Sequence, residues 1–155
     1  CSAGHEEHLR SLGADHVIDY RSESVPERVL EITGGKGVDA IVDPVGRETA
    51  QESLRCLKFA GAIACLVRMP DTTKIAPFSV TPTIHEVTLG GAYFHGSKED
   101  QSYMARIGEQ MMSMLDNGAL DPMVSEVISM EQIPEGLKRL EGRHVTGKIV
   151  AKLEE

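Results

Sequence analysis

Apolar residues along this chain follow two rhythms. Val38-Asp39-Ala40-Ile41-Val42 and Ala62-Ile63-Ala64-Cys65-Leu66-Val67 are short runs rich in small and β-branched residues and preceded by glycine, which predicts strands buried on both faces of a parallel sheet. Stretches with apolar residues at helical spacing separate them. The spacing predicts helices over 5–12, closed by Gly13, over 24–33, over 49–57, over 98–117 and over 133–141. Ser24-Val25-Pro26-Glu27 reads as a capping box with proline in the first turn, and Ser97 as an N-cap. Further strands are predicted over 15–20, 84–94, 124–128 and 148–153, with Lys58-Phe59-Ala60-Gly61 as a turn. Met104, Ile107, Met111, Met112 and Leu115 read as adaptable core along their helix.

Helices and strands alternating over short links imply an α/β fold, a doubly wound parallel sheet with helices on both faces. The first strand run stops abruptly. In Asp43-Pro44-Val45-Gly46, Pro44 has no N–H to donate and Gly46 permits a sharp turn, a shape that places ligands at the carboxyl edge of such a sheet. The proline-punctuated stretch 68–82 reads as a long loop, of the kind that is functional or mobile.

Composition narrows the classes. The 155 residues are 41% hydrophobic and 26% charged, an ordinary globular balance. A net charge of −8 without a Lys/Arg cluster argues against nucleic-acid binding. No apolar run is long enough to span a bilayer and no secretory pattern opens the chain, so a cytoplasmic protein is expected. Cys1, Cys56 and Cys65 have no metal-ligand spacing and the six histidines form no H-x-x-x-H, so no metal is assigned; His5 and His8 read as a solvated face. Cys1-Ser2-Ala3-Gly4-His5 has no initiator methionine and reads as the exit of a strand, so the chain is expected to be a fragment.

Leu12-Gly13-Ala14-Asp15-His16-Val17-Ile18-Asp19-Tyr20, Gly37-Val38-Asp39-Ala40-Ile41-Val42-Asp43, Gly61-Ala62-Ile63, Gly118-Ala119-Leu120 and Gly147-Lys148-Ile149-Val150 together resemble the medium-chain dehydrogenase/reductase family, nearest its zinc-type alcohol dehydrogenase and NADPH:quinone oxidoreductase branches. The resemblance implies the cofactor-binding part of a Rossmann-like fold, truncated at its N-terminal side, with 123–155 returning toward a catalytic domain that the chain does not contain. It implies hydride transfer between NADP(H), favoured over NAD(H), and a small carbonyl, enone, quinone or alcohol. Catalytic groups, and zinc if any, would lie in that other domain, so none is assigned here and the fragment alone is expected to lack turnover.

Carried over by motif, Ser2 and His5 would lie near the 2′-phosphate and Tyr20 beside the adenine. Val45 and Gly46 would lie against the adenosine half, and Leu66 and Val67 against the nicotinamide ribose and ring. Ala92, Phe94 and His95 would hold the carboxamide through their backbone, and Arg143 would approach the phosphates. His5 stands where Lys or Arg is usual, so its pairing with phosphate would need a raised pKa. A homodimer is expected through a strand at 87–92, and exposed apolar surface near Val17, Ile41 and Ile63. A non-catalytic dimerisation or ligand-sensing module is the alternative, and a Rossmann-like methyltransferase a third.

Overall fold

The computed structural model describes residues 3–142 and 145–153, and the chain divides after Gly90 into two compact units. In the first, helix α1 (Glu6–Ser11) carries an Arg10–Glu6 ion pair of 2.9 Å one turn apart and gives way to Gly13 at φ +99°. Helix α2 (Val25–Ile32) starts at Ser24, but the expected capping box does not close. Ser24 makes no side-chain cap bond, and Glu27 faces Arg55 at 3.4 Å instead.

The segment 15–20 is not a strand. Asp19 turns it: its carbonyl accepts the Ser22 and Glu23 N–H groups at 3.0 and 3.1 Å, and its carboxylate accepts the Arg21 N–H at 3.0 Å. A strand needs a neighbour's ladder, and the sheet here runs β1-β2-β3 with nothing paired outside β1.

That sheet is parallel, built from β1 (Val38–Asp43), β2 (Leu57–Cys65) and β3 (Thr83–Glu86). The chain enters β1 through Gly37 at φ +76°, where a Cβ would lie 2.6 Å from the Cys56 carbonyl oxygen, so glycine is required twice over. β2 begins earlier than expected. Residues 58–61 are a bulge within the strand, not a turn: the register slips from Val38 opposite Leu57 to Ala40 opposite Ala62, and the Ala60 N–H bonds to the Val80 carbonyl at 2.9 Å.

Helix α3 (Arg47–Ser53) and the turn after it cover one face of the sheet, and Ala50, Leu54, Leu57, Ile63 and Cys65 form the core, with Ile41, Ile75 and Ile84 against it. Burying a side chain such as Ile63 contributes about 2 kcal/mol. β1 is therefore not buried on both faces. Ile41 pairs with Ile63 on the core side of the pleat and is half-buried, whereas Val42 on the other side is 67% exposed. Ile63, expected at an uncovered surface, is fully buried.

β3 stops at Glu86, short of the expected end. The glycine pair Gly90-Gly91 cannot hold a ladder cheaply, and Gly91–Phe94 forms a helical turn, α4. The strand at 87–92 on which the homodimer expectation rested is not formed.

In the second unit, α5 (Lys98–Asp116) begins in a closed capping box: the Ser97 hydroxyl accepts the Asp100 N–H at 3.2 Å and the Asp100 carboxylate accepts the Ser97 N–H at 2.7 Å. Its methionines are not core. No residue of α5 is buried, and Met111 and Met112 are 50% and 59% exposed, because α5 has no sheet laid against its apolar stripe within its own unit. β4 (Val124–Ser129) and β5 (Lys148–Lys152) form a parallel pair with α6 (Ile133–Glu141) packed on it. A forked Arg139–Glu126 contact of 2.6 and 3.2 Å ties α6 to β4.

Candidate functional site

Three parallel strands end together in the first unit, and backbone hydrogen bonds lash their ends into one edge. Asp43, Cys65 and Glu86 lie side by side in register. The Leu66 N–H donates to the Asp43 carbonyl and the Val87 N–H to the Cys65 carbonyl, both at 2.9 Å.

Asp43 shapes the turn beyond β1. It is 3% exposed, and its Oδ1 accepts the N–H groups of Val45 and Gly46 at 3.0 and 2.8 Å, passing over Pro44, which has none. Gly46 adopts φ +152° and ψ −169°, a conformation essentially confined to glycine. A Cβ there would meet no protein atom within 4 Å, so the backbone is open to a ligand from outside. The Gly46 carbonyl then accepts the Ala50 N–H at 2.9 Å and α3 begins.

Beside this turn Leu66 and Val67 stand 47% and 55% exposed. With Val87, Thr88, Leu89 and Gly90 they line a largely apolar cleft of about 340 Å³. A second cleft of about 410 Å³ shares Val67 and is lined by Arg47, Arg68, Asp71 and Glu86 among others. One side chain thus borders both an apolar and a charged recess.

The electrostatics of the edge are settled by burial and by local hydrogen bonds. Burial pushes the Cys65 thiol up, with the Asp43 and Glu86 carboxylates adding to it, so Cys65 is a packed thiol and not a nucleophile. The Asp71 carboxyl is held below its ordinary value by the Thr73 hydroxyl at 2.6 Å and the Thr73 N–H at 3.1 Å, with Lys74 and Arg47 helping.

Among the described residues no three His, Cys, Asp or Glu side chains gather to hold a metal. No helix among them is long and apolar enough to cross a membrane.

Of the residues singled out in the sequence, Val45, Gly46, Leu66 and Val67 come together at this edge. His5 sits half-buried at the start of α1, and Tyr20 is 58% exposed with the Arg21 guanidinium 5.9 Å from its ring centre. Ala92 and Phe94 belong to the second unit and to the helical turn α4, with His95 just after it, and none of the three lies at a strand end. The Ala92 carbonyl accepts from the Gln101 amide at 3.3 Å, the His95 N–H donates to Gly91, and Phe94 is 80% exposed. Ser2 and Arg143 lie outside the described residues. The sequence reading missed the organising role of Asp43, although Asp followed by Pro and Gly is a turn signature, and it missed Arg47 altogether.

Residues 12–150 match the family described as zinc-binding dehydrogenase. A 2-haloacrylate reductase of Burkholderia sp is 31% identical over 150 residues, covering 93% of this chain and 44% of that protein. A mitochondrial NAD(P)H oxidoreductase of Danio rerio is 29% identical, covering 100% and 42%. The chain thus spans under half the length of these relatives. The crystal structure of a putative NADPH:quinone reductase from Bacillus thuringiensis superposes with a TM-score of 0.75 over 98% of this chain and 47% of that one, at 19% identity, which shows a shared α/β fold.

Proposed function

The chain belongs to the zinc-binding dehydrogenase family, the medium-chain dehydrogenases and reductases that its sequence resembles, and from that premise we propose that it is the nicotinamide-cofactor-binding part of a reductase. One observation carries the reading: three parallel strands end in register at one edge, where a glycine-only turn and two exposed apolar side chains leave open surface. The reduced nicotinamide supplies a hydride when bound.

The residues of this chain bind and orient. The open backbone at Val45-Gly46 suits the flat adenosine half, because no side chain projects from Gly46. Leu66 and Val67 offer apolar contact to the nicotinamide end and keep water from it. Asp43 acts one step back, holding the turn by its two N–H bonds. The acceptor would be an activated alkene, quinone or small carbonyl, in keeping with relatives named 2-haloacrylate reductase and NAD(P)H oxidoreductase. NADPH is the preferred cofactor in this proposal, and the chain alone binds it loosely and does not turn over.

The test is NADPH oxidation by the whole protein carrying this chain, offered quinone, enone and aldehyde acceptors in turn. Acceptor-dependent oxidation supports the proposal; none with either NADPH or NADH overturns it.

A further inference from the structure

Arginine at a protein surface often pairs with a carboxylate or lies over a ring. Six of the eight arginines among the described residues do so. Arg10, Arg28, Arg55 and Arg139 pair with glutamates, and Arg21 and Arg106 lie near the rings of Tyr20 and Tyr103. Arg47 and Arg68 make no ion pair, hydrogen bond or ring contact, and both line the same cleft beside Val67. In a chain of net charge −8, acidic partners are plentiful, so the coincidence calls for a ligand.

The two acids of that cleft do not cancel them. Asp71 is engaged within its own turn by the Thr73 hydroxyl at 2.6 Å and by Lys74 at 3.7 Å. Arg47 acts on Asp71 only at longer range, behind Thr73 and Lys74, so neither Asp71 nor Glu86 makes a close ion pair with the two guanidinium groups.

We propose that Arg47 and Arg68 form an anion subsite that holds the carboxylate of the substrate, next to the Val67 surface assigned to the nicotinamide end. The inference rests on the cofactor reading above and adds the substrate class: a short unsaturated acid in preference to its neutral ester or a quinone. Two guanidinium forks converging on one carboxylate would also fix which end of a small substrate enters first.

The probe is acrylate, which carries the carboxylate on the smallest unsaturated frame. Titration of acrylate into the whole protein, followed by calorimetry, is compared for the wild type, Arg47→Gln, Arg68→Gln and the double variant, with methyl acrylate as the neutral control and NADPH affinity measured on each. The expected result is saturable acrylate binding that weakens at least about tenfold in each single variant and vanishes in the double, while methyl acrylate binding does not change. Circular dichroism of each variant separates loss of the subsite from loss of the fold, and Arg68→Lys should retain part of the affinity. Acrylate binding that is absent, or indifferent to both arginines, overturns the proposal. Loss of NADPH affinity in place of acrylate affinity overturns it too, since the anion would then be a cofactor phosphate. Failure of the reductase reading looks different: neither nucleotide would bind, whether or not acrylate did.

Discussion

Replacing Asp43 tests how the ligand edge is built. Its carboxylate is 3% exposed and accepts two N–H groups, from Val45 at 3.0 Å and Gly46 at 2.8 Å. Alanine would remove both acceptors at once. A hydrogen bond to a charged group contributes about 1.5–3 kcal/mol net, so the pair sets a ceiling of about 6 kcal/mol. Two effects lower it: the variant has no buried carboxylate to desolvate, and Val45 is 66% exposed, within reach of water that can serve its N–H. Asp43→Ala should therefore lose about 2–3 kcal/mol, and Asp43→Asn, which keeps an amide oxygen in the same place, less than about 1 kcal/mol. Urea unfolding at pH 7 reads both as shifts of the midpoint. Equal losses for the two variants, or a loss below about 0.5 kcal/mol for alanine, would refute the assignment of Asp43 as the turn's organiser.

Gly37→Ala should cost more than about 2 kcal/mol, through positive φ and the Cys56 carbonyl 2.6 Å from the new Cβ, whereas Gly35→Ala at φ +80° in open space should cost about 1 kcal/mol; equal midpoints in urea would contradict the steric part. Phe78 is fully exposed at φ +58°, so Phe78→Gly should raise stability by about 0.5–1 kcal/mol, and a fall in melting temperature would show that its ring is held by something. Ser97→Ala opens the α5 capping box and should cost about 1 kcal/mol, measured as lost protection of the Asp100 amide in hydrogen exchange. Asp71, Asp100 and Glu131 have carboxyls held below their ordinary values by Thr73, Ser97 and Ser129 respectively. Their folded values are depressed, so this stability is present at neutral pH and is lost as pH falls from the unfolded values of 3.8 and 4.5 through the lower folded ones. A melting temperature that falls between pH 5 and pH 3, less steeply in Asp100→Asn, is the expected result; an unchanged slope would contradict it.

The helices and strands that bury a stripe within their own neighbourhood were legible from spacing alone. β1 with its glycine entry, α6 and the Ser97 start of α5 all appear where the pattern puts them, because capping and periodicity are local. The failures share a physical cause, dependence on a neighbour. Residues 15–20 carry strand-forming residues such as Val17 and Ile18 but have no strand to pair with, and Val42 belongs to an apolar run yet is exposed on the face away from the core. The methionines of α5 mark a helical stripe, but a stripe does not say what covers it. The Ser24 box was satisfied in sequence and lost in space to Arg55, a residue remote along the chain. At the site, the glycine turn and the apolar strand end could be read from Asp43-Pro44-Val45-Gly46 and Leu66-Val67. That Arg47 and Arg68 line one cleft could not, since a charge at the start of α3 and one in the loop after β2 have no shared periodicity.

The central claim is that a dinucleotide lies along the edge formed by Val45, Gly46, Leu66 and Val67. Fluorescence titration of NADPH into the whole protein carrying this chain, wild type and Gly46→Val, tests it most directly. Saturable binding, tighter for NADPH than for NADH and weakened at least about tenfold by the valine side chain, is the predicted result. Binding equal in both proteins would place the cofactor elsewhere, and no saturable binding of either nucleotide would contradict the account.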